Sequence, residues 1–520
     1  MYGEVTEWFK VTVLKTVVGQ LTASSNLALS AKKCGPKKMK GLFSCLKLAH
    51  TDLPSWYSGG MALVKSKYAW WVHFLFTPHV VVYTLVFILF LIKALGTLDP
   101  DFGWHLQSGR YILEHGIPTH DIFTYTARDF PWIHHEWLAD VLSASIYQVG
   151  GYWLLGFVFA SLWTASVWLV SRKNPLPIVT LISTCVMLSF SGVRAMTWTV
   201  FFCAILYILL HRRGRAWWWI PLLMLFWANM HGGFVLGLAY IVWKSFKEHS
   251  FIIAGVMIAS VLVTFITPYG PGMYLEVWRT LVDSDLHTNI QEWSSFALTI
   301  PAITVVGIWV GVRAMTVSPW WRAIVSFETL LLIASFSSIR SLPLFCLFAL
   351  GWLSITFKKM KINRSAASKL LRPINGLISI VAVVFVLVMA TGVYDALKGV
   401  KVDPESSQPQ KIIQALRDRP CEGAVFNSYN IGGYFIWKLP NTPVYIDGRM
   451  PSWEYDGKKY MNIYKDVLTN SNVQKREFSV HNIKCVVMEE RSDIIKCLQH
   501  DGWRHEITDR GYTLSRRGAV

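Results

Sequence analysis

Long apolar runs separated by short polar joints dominate the chain between residues 77 and 395. They fall at 77–97, 152–171, 175–192, 195–210, 217–229, 233–247, 251–267, 295–312, 322–338, 341–357 and 374–395. A helix of about 20 residues crosses a hydrocarbon core, so the pattern predicts an α-helical polytopic membrane domain with about eleven spans. The stretch from Trp217 to Phe246 is interrupted by Asn229-Met230-His231-Gly232-Gly233 and reads as two short spans or one broken helix. The polar segment 98–137 follows the first run. In it Phe102, Leu106, Ile112 and Leu113 are spaced for a short interfacial helix, capped by Asp101 and ended by Gly116. From about 400 the period changes. A linker at Val402–Ser407 leads to a helical stretch from Gln408 to Arg417, and Ala424–Phe426, Pro443–Ile446 and Lys484–Met488 read as buried strands. This predicts a small α/β domain over 396–520.

Composition agrees with the pattern. The 520 residues are 53% hydrophobic and only 16% charged, too little charge for a soluble surface of this size. The net charge of +18 would suit nucleic acid, but the basic residues sit in short loops between apolar runs, so nucleic-acid binding is not the reading. With the amino end in the cytoplasm, roughly fifteen basic residues fall in inner loops and about five in outer ones, as the positive-inside rule requires. These include Arg172-Lys173, Arg212-Arg213-Gly214-Arg215 and Lys358-Lys359-Met360-Lys361. The same parity puts every polar segment outside: 98–137, the Asn229–Gly233 break, 268–294, the corner at Arg340 and the tail domain. Residues 1–60 carry no apolar span. Their opening resembles a translation read antisense through a transfer-RNA gene, and the native start is expected near Met61, the alternative being a disordered cytoplasmic arm; the membrane domain then covers 61–395. Of the eight cysteines, Cys185, Cys203 and Cys346 lie in apolar spans as packing residues. Cys421, Cys485 and Cys497 fall in the tail, where one disulfide can form and its pairing is open.

The chemistry gathers on the outer side. Asp99 and Asp101 stand directly above the first span beside His105, Arg110, His134, His135 and Glu136. Two carboxylates there either cap a juxtamembrane helix or do work, because polar groups held near lipid are costly. Arg110, Arg194, Arg279 and Arg340 are the outer arginines whose fork geometry suits phosphate; the alternative is a snorkelling role. His231 either caps a helix break or meets substrate beside Gly232-Gly233. A divalent cation is open as cofactor: the ligand types are present, but no pair has the spacing of a defined site. Asp447-Gly448-Arg449 reads as a tight turn with a salt bridge or as part of a site.

The Asp-x-Asp pair at the start of the first outer loop, on a chain of this topology, resembles the GT-C glycosyltransferases, relatives of protein O-mannosyltransferases and lipid A aminoarabinose transferases. More narrowly, several motifs look like those of an uncharacterised bacterial group. They are Asp99-Pro100-Asp101-x-x-Trp104-His105-Leu106, Trp132-x-x-His135-Glu136-Trp137-Leu138, Trp227–Phe234, Pro268-Tyr269-Gly270 with Glu292-Trp293, Phe426–Tyr434 and Ile446–Arg449. Arg194-Ala195 stands where the group has Arg-Pro. The resemblance implies transfer of a sugar from a polyprenyl-phosphate donor to a lipid, glycan or protein acceptor at the outer face of the cell membrane. It implies Asp101 as general base with Asp99 as its partner. His105, Arg110, His135, Glu136, Arg194, His231, Tyr269, Glu292 and Arg340 are then the expected substrate-binding residues. Two other classes compete: a transporter of lipid-linked saccharides, which calls for charged residues inside spans and an internal repeat, and a non-catalytic scaffold.

Overall fold

The computed structural model describes residues 78–212, 214–283, 286, 300–359, 404–455 and 457–517. The chain divides at Thr77 and Pro78 into two units, and all described residues belong to the second, Pro78–Val520. The amino-terminal extension, the apolar run at 374–395 and Glu292 lie outside the described residues.

Most apolar runs fold as helices: α1 Pro78–Gly96, α3 Trp137–Ser171, α4 Pro177–Leu188, α5 Met196–His211, α6 Ile220–Met230, α7 Phe234–Glu248, α8 Phe251–Val263, α10 Ile300–Ala314, α11 Phe327–Ser337 and α12 Leu342–Lys359. Two polar segments add α2, Phe102–His115, and α9, Gly272–Val282. The stretch after Trp217 resolves into two helices, because His231 takes an extended conformation between α6 and α7. Trp137–Ser171 and Ile339–Thr356 are long and apolar enough to cross a bilayer; Val80–Gly96, Pro177–Leu188, Met196–His211, Phe251–Val263, Ile303–Ala314 and Phe327–Ser337 are shorter apolar helices. Helix α3 is bent at Gly150-Gly151, where Gly151 has φ 62°, a left-handed value that glycine adopts without steric cost. The inner helices pack through Phe90, Trp163, Tyr207, Trp227, Phe234 and Phe348, all fully buried.

The tail domain holds α13 Gln410–Asp418, β1 Ala424–Asn427, α14 Gly432–Lys438, α15 Tyr460–Thr469, α16 Ser471–Val480, β2 Ile483–Glu489, α17 Asp493–His500, β3 Trp503–Asp509 and β4 Tyr512–Arg517. The sheet order is β1-β2-β4-β3, with β1 parallel to β2 and the other pairs antiparallel. Cys421 and Cys485 form a disulfide across the start of this sheet. Pro443–Ile446 is not a strand of the sheet, contrary to its apolar pattern. Val444 instead exchanges backbone bonds with the first polar segment, its N–H donating to Phe123 O at 3.0 Å and its carbonyl accepting Tyr125 N–H at 3.2 Å.

That exchange is one part of a shared core. Phe102, Trp104 and Leu106 of α2 are buried in one cluster with Phe426, Phe435, Trp437 and Ile446 of the tail. Backbones touch there: a methyl built on Gly103 would overlap Gly433 O, and one on Gly433 would overlap Pro100 O. Gly433 is therefore the docking point for α2, while Gly432 lies against Ile446 O within the tail.

Candidate active site

Three residues after α1 ends, the chain turns at Asp99-Pro100-Asp101 into α2. Asp99 Oδ1 accepts the Asp101 N–H at 2.9 Å, and Asp99 Oδ2 pairs with the Arg194 guanidinium that precedes α5. Asp101 occupies the position before α2, but its side chain does not cap the helix as its place in the sequence suggests. Its Oδ1 accepts the Trp104 indole N–H at 3.0 Å instead. No side chain among the described residues donates to Oδ2, which leaves that oxygen available to take a proton. Burial first, and then the neighbouring Asp99 charge, push the Asp101 carboxyl up to about 6 against the opposing pull of His105, Trp104 and Arg194.

Behind this carboxylate lies a chain of imidazoles and acids. His105, one turn along α2, sits face to face on Trp104 with centroids 3.6 Å apart. Its Nδ1 lies 2.7 Å from Asp140 Oδ1, and its Nε2 lies 3.6 Å from Glu136 Oε2. Burial favours the neutral ring, but Asp140, Glu136 and Asp101 together outweigh it and lift His105 to about 9, an imidazolium at neutral pH. The other Asp140 oxygen takes His134 Nε2 at 2.8 Å. Burial prevails over Asp140 there, lowering His134.

Glu136 Oε1 lies 3.2 Å from His231 Nε2 and 3.6 Å from His135 Nε2. Its burial is outweighed by His135, His105, His231 and His134, and it is held down at about 2. The tautomer of His231 follows from its partners. Gly233 N–H donates to Nδ1 at 2.8 Å, so in the neutral ring the proton is on Nε2. Burial, only partly offset by Glu136, lowers His231 to about 4 and keeps it neutral. A metal-bound imidazole needs its second nitrogen to donate, and in His231 that nitrogen accepts. Among the described residues no group of three His, Cys, Asp or Glu side chains is arranged to hold a metal ion.

The structure brings together Asp99, Asp101, His105, His135, Glu136, Arg194 and His231 from the expected set. Arg340, in the short turn Ile339–Ser341 between α11 and α12, acts on the His231 charge from one side. Tyr269 donates its hydroxyl to Pro118 O at 3.0 Å and so ties the α8–α9 connection to the first polar segment. Arg110 lies elsewhere on α2, its guanidinium 5.4 Å from the Tyr147 ring centroid. Two residues of this cluster lay outside the expected set, and a third stood in the sequence only as part of the Asp447-Gly448-Arg449 turn. Asp140 bridges two histidines, and its one signal was an acid in the first turn of an apolar helix. Thr199 lies 2.9 Å from His231 Nδ1 and accepts the Trp227 N–H at 3.1 Å. Gly448 lies directly against the Asp101 carboxylate.

The Asp447-Gly448-Arg449 turn is salt-bridged as one reading expected. Arg449 Nε and a terminal nitrogen reach Asp447 at 2.8 and 2.6 Å, and the terminal nitrogen also reaches Asp121 at 2.7 Å. Its guanidinium lies over Trp132, 4.5 Å from the ring centroid.

No family model matches the sequence, and no curated protein does. Among solved structures, the oligosaccharyltransferase AglB of the archaeon Archaeoglobus fulgidus, bound to an inhibitory peptide and a dolichol-phosphate, superposes with a TM-score of 0.53 at 12% identity, over 79% of this chain and 69% of that one. The same enzyme tethered to an acceptor peptide gives 0.52 at 11% identity, over 80% and 70%. At such identity the likeness is one of architecture: the chain shares the fold of that oligosaccharyltransferase.

Proposed function

We propose that this protein is a multi-pass membrane glycosyltransferase that moves a sugar from a polyprenyl-phosphate donor to an acceptor at the outer face of the cell membrane. The observation that carries the reading is the Asp101 carboxylate, one oxygen tethered by Trp104 and the other without a side-chain donor among the described residues, flanked by the Asp99–Arg194 pair. In the proposed step an acceptor hydroxyl or amine attacks the anomeric carbon and passes its proton to Asp101 Oδ2. The bond from that carbon to the phosphate oxygen breaks, and the polyprenyl phosphate leaves as an anion. A phosphate leaving group needs a cation more than an acid, and Arg194 and the His105 imidazolium are the cations beside Asp101. The AglB complexes, with a dolichol-phosphate in one and an acceptor peptide in another, support a lipid-linked donor and an acceptor in kind.

The membrane reading draws on the outward apolar surface. Phe251 is 95% exposed, and Trp153, Phe157, Ile182, Phe226, Leu262 and Ile308 also face out, an arrangement suited to lipid rather than water. We take the amino end as cytoplasmic and the tail as extracytoplasmic. The Cys421–Cys485 disulfide supports that side, since disulfides persist in oxidising compartments. Purified protein in lipid nanodiscs, given radiolabelled polyprenyl-phosphate sugars and a panel of lipid, glycan and peptide acceptors, tests the proposal. Transfer by wild type and its loss in Asp101→Asn is expected. Donor crossing the bilayer without transfer would favour a transporter, and equal transfer by both proteins would reject Asp101 as the base.

A further inference from the structure

We infer that the Asp447-Gly448-Arg449 turn of the tail domain is a positioning element of the active site, with Gly448 holding the Asp101 carboxylate in place. This rests on the glycosyl-transfer reading for its chemistry, but its geometry stands apart from it. Gly448 is absent from the positive-φ glycines, so its backbone conformation does not demand glycine. Its neighbour does: a Cβ there would overlap Asp101 Oδ1 and lie 2.8 Å from Asp101 Cγ. The carboxylate is thus held between the Trp104 indole N–H on one side and the Gly448 backbone on the other. Both contacts fall on Oδ1, and among the described residues no side chain donates to Oδ2.

The turn can act as a fixed wall because little in it is free to move. Asp447 is fully buried and accepts the Arg449 N–H at 2.9 Å as well as the guanidinium. Arg449 carries the constraint across to Asp121, which accepts the Thr124 backbone N–H at 2.9 Å within the first polar segment. The tail meets the first polar segment again at α14, where Gly433 abuts Pro100, one residue before Asp101. Two points of backbone contact on adjacent residues fix both the place and the direction of the Asp101 side chain. The tail domain is therefore part of the catalytic machinery, and removing or displacing it leaves Asp101 in water.

Two variants test this. Gly448→Ala forces the carboxylate aside, and a shift of about 1 Å in a reacting group costs roughly 100-fold in rate. The expected result is a fall in kcat with KM within about twofold, and an acid limb of the pH profile moved to lower pH, because a carboxylate released into solvent ionises more easily. Arg449→Lys keeps the charge but loses the fork to Asp121 and Asp447, and is expected to move both quantities the same way, more weakly. A second readout needs no activity: alkylation of the thiol introduced by Asp101→Cys, followed by peptide mass spectrometry, with and without Gly448→Ala. Acceleration of several-fold by Gly448→Ala is expected. If Asp101→Asn abolishes transfer while Gly448→Ala and Arg449→Lys keep the wild-type rate and pH limb, the positioning role is overturned and the base assignment survives. If wild type transfers nothing, the functional reading fails, and the alkylation rates alone decide the geometry; equal rates overturn it.

Discussion

If Asp101 is the general base proposed above, the Asp99–Arg194 pair should set the pH at which transfer begins. Asp101 titrates at about 6, and a general base must be ionised, so kcat/KM should rise with pH through that value. Asp99 Oδ1 holds the Asp101 N–H at 2.9 Å, which keeps the two carboxyl groups close. Taking roughly 6 Å between the charges and an effective dielectric near 20, one unit charge is worth about 2.8 kcal/mol, or about two pH units. Asp101 is partly exposed, and solvent screening brings this down to about one unit. Asp99→Asn removes the repelling charge and leaves the Arg194 cation nearby. Both effects favour the ionised base, so the acid limb should fall to about pH 5. Arg194→Gln leaves Asp99 uncompensated and should raise the limb to about pH 7. The assay is initial transfer velocity at subsaturating donor from pH 4.5 to 8.5 in a constant-ionic-strength buffer, with donor binding checked separately at each pH. Limbs that move in the same direction in the two variants, or a wild-type profile flat across pH 6, would refute the reasoning.

Three further outcomes follow from the same geometry. His105 is raised from 6.5 to about 9, so its stabilising share is complete below pH 6.5 and disappears as pH rises through 9; on the order of 3 kcal/mol is at stake. Melting temperatures in detergent should therefore decline between pH 7 and 9.5 more steeply for wild type than for His105→Gln, and parallel declines would remove the imidazolium from the argument. The Cys421–Cys485 bridge spans 64 positions, for which chain entropy gives about 4 kcal/mol, so Cys421→Ser should lower the melting temperature of the tail and render Cys485 alkylatable without reductant. Thr199→Val strands the buried Trp227 N–H and removes a hydroxyl from His231, and should cost about 1–3 kcal/mol by denaturant titration while Thr199→Ser costs less.

Much of the molecule is local and was legible as such. The described apolar runs became helices because a helix satisfies its own backbone groups, whatever surrounds it. Helix α2 ends where Gly116 takes φ 86°, and the break at His231 sits where Gly232-Gly233 announced it. β1 and β2 appear where buried-strand patterns stood. Pro443–Ile446 misled because an apolar run states only that a segment is buried. It paired with Phe123 and Tyr125 rather than joining the sheet. Asp101 as a helix cap was likewise a local inference, and Trp104 claimed its oxygen.

The site divides along the same line. Asp99, Asp101, His105 and Glu136 were visible because they cluster within one short polar segment above an apolar run. Asp140 and Thr199 lie at the ends of apolar helices, where one polar residue carries no periodic signal. Gly448 is some 350 positions from the carboxylate it touches, and the Asp447-Gly448-Arg449 pattern marked a turn without saying which residue it would meet. Hydrophobic period and charge asymmetry belong to the chain itself, so sequence determined the helices and the segment that bears the acids. Which oxygen of Asp101 is free, which histidine carries charge, and what covers the site depend on burial and on charges only a few ångströms away. Those distances arise when the tail packs on α2, and the tertiary structure alone decides them.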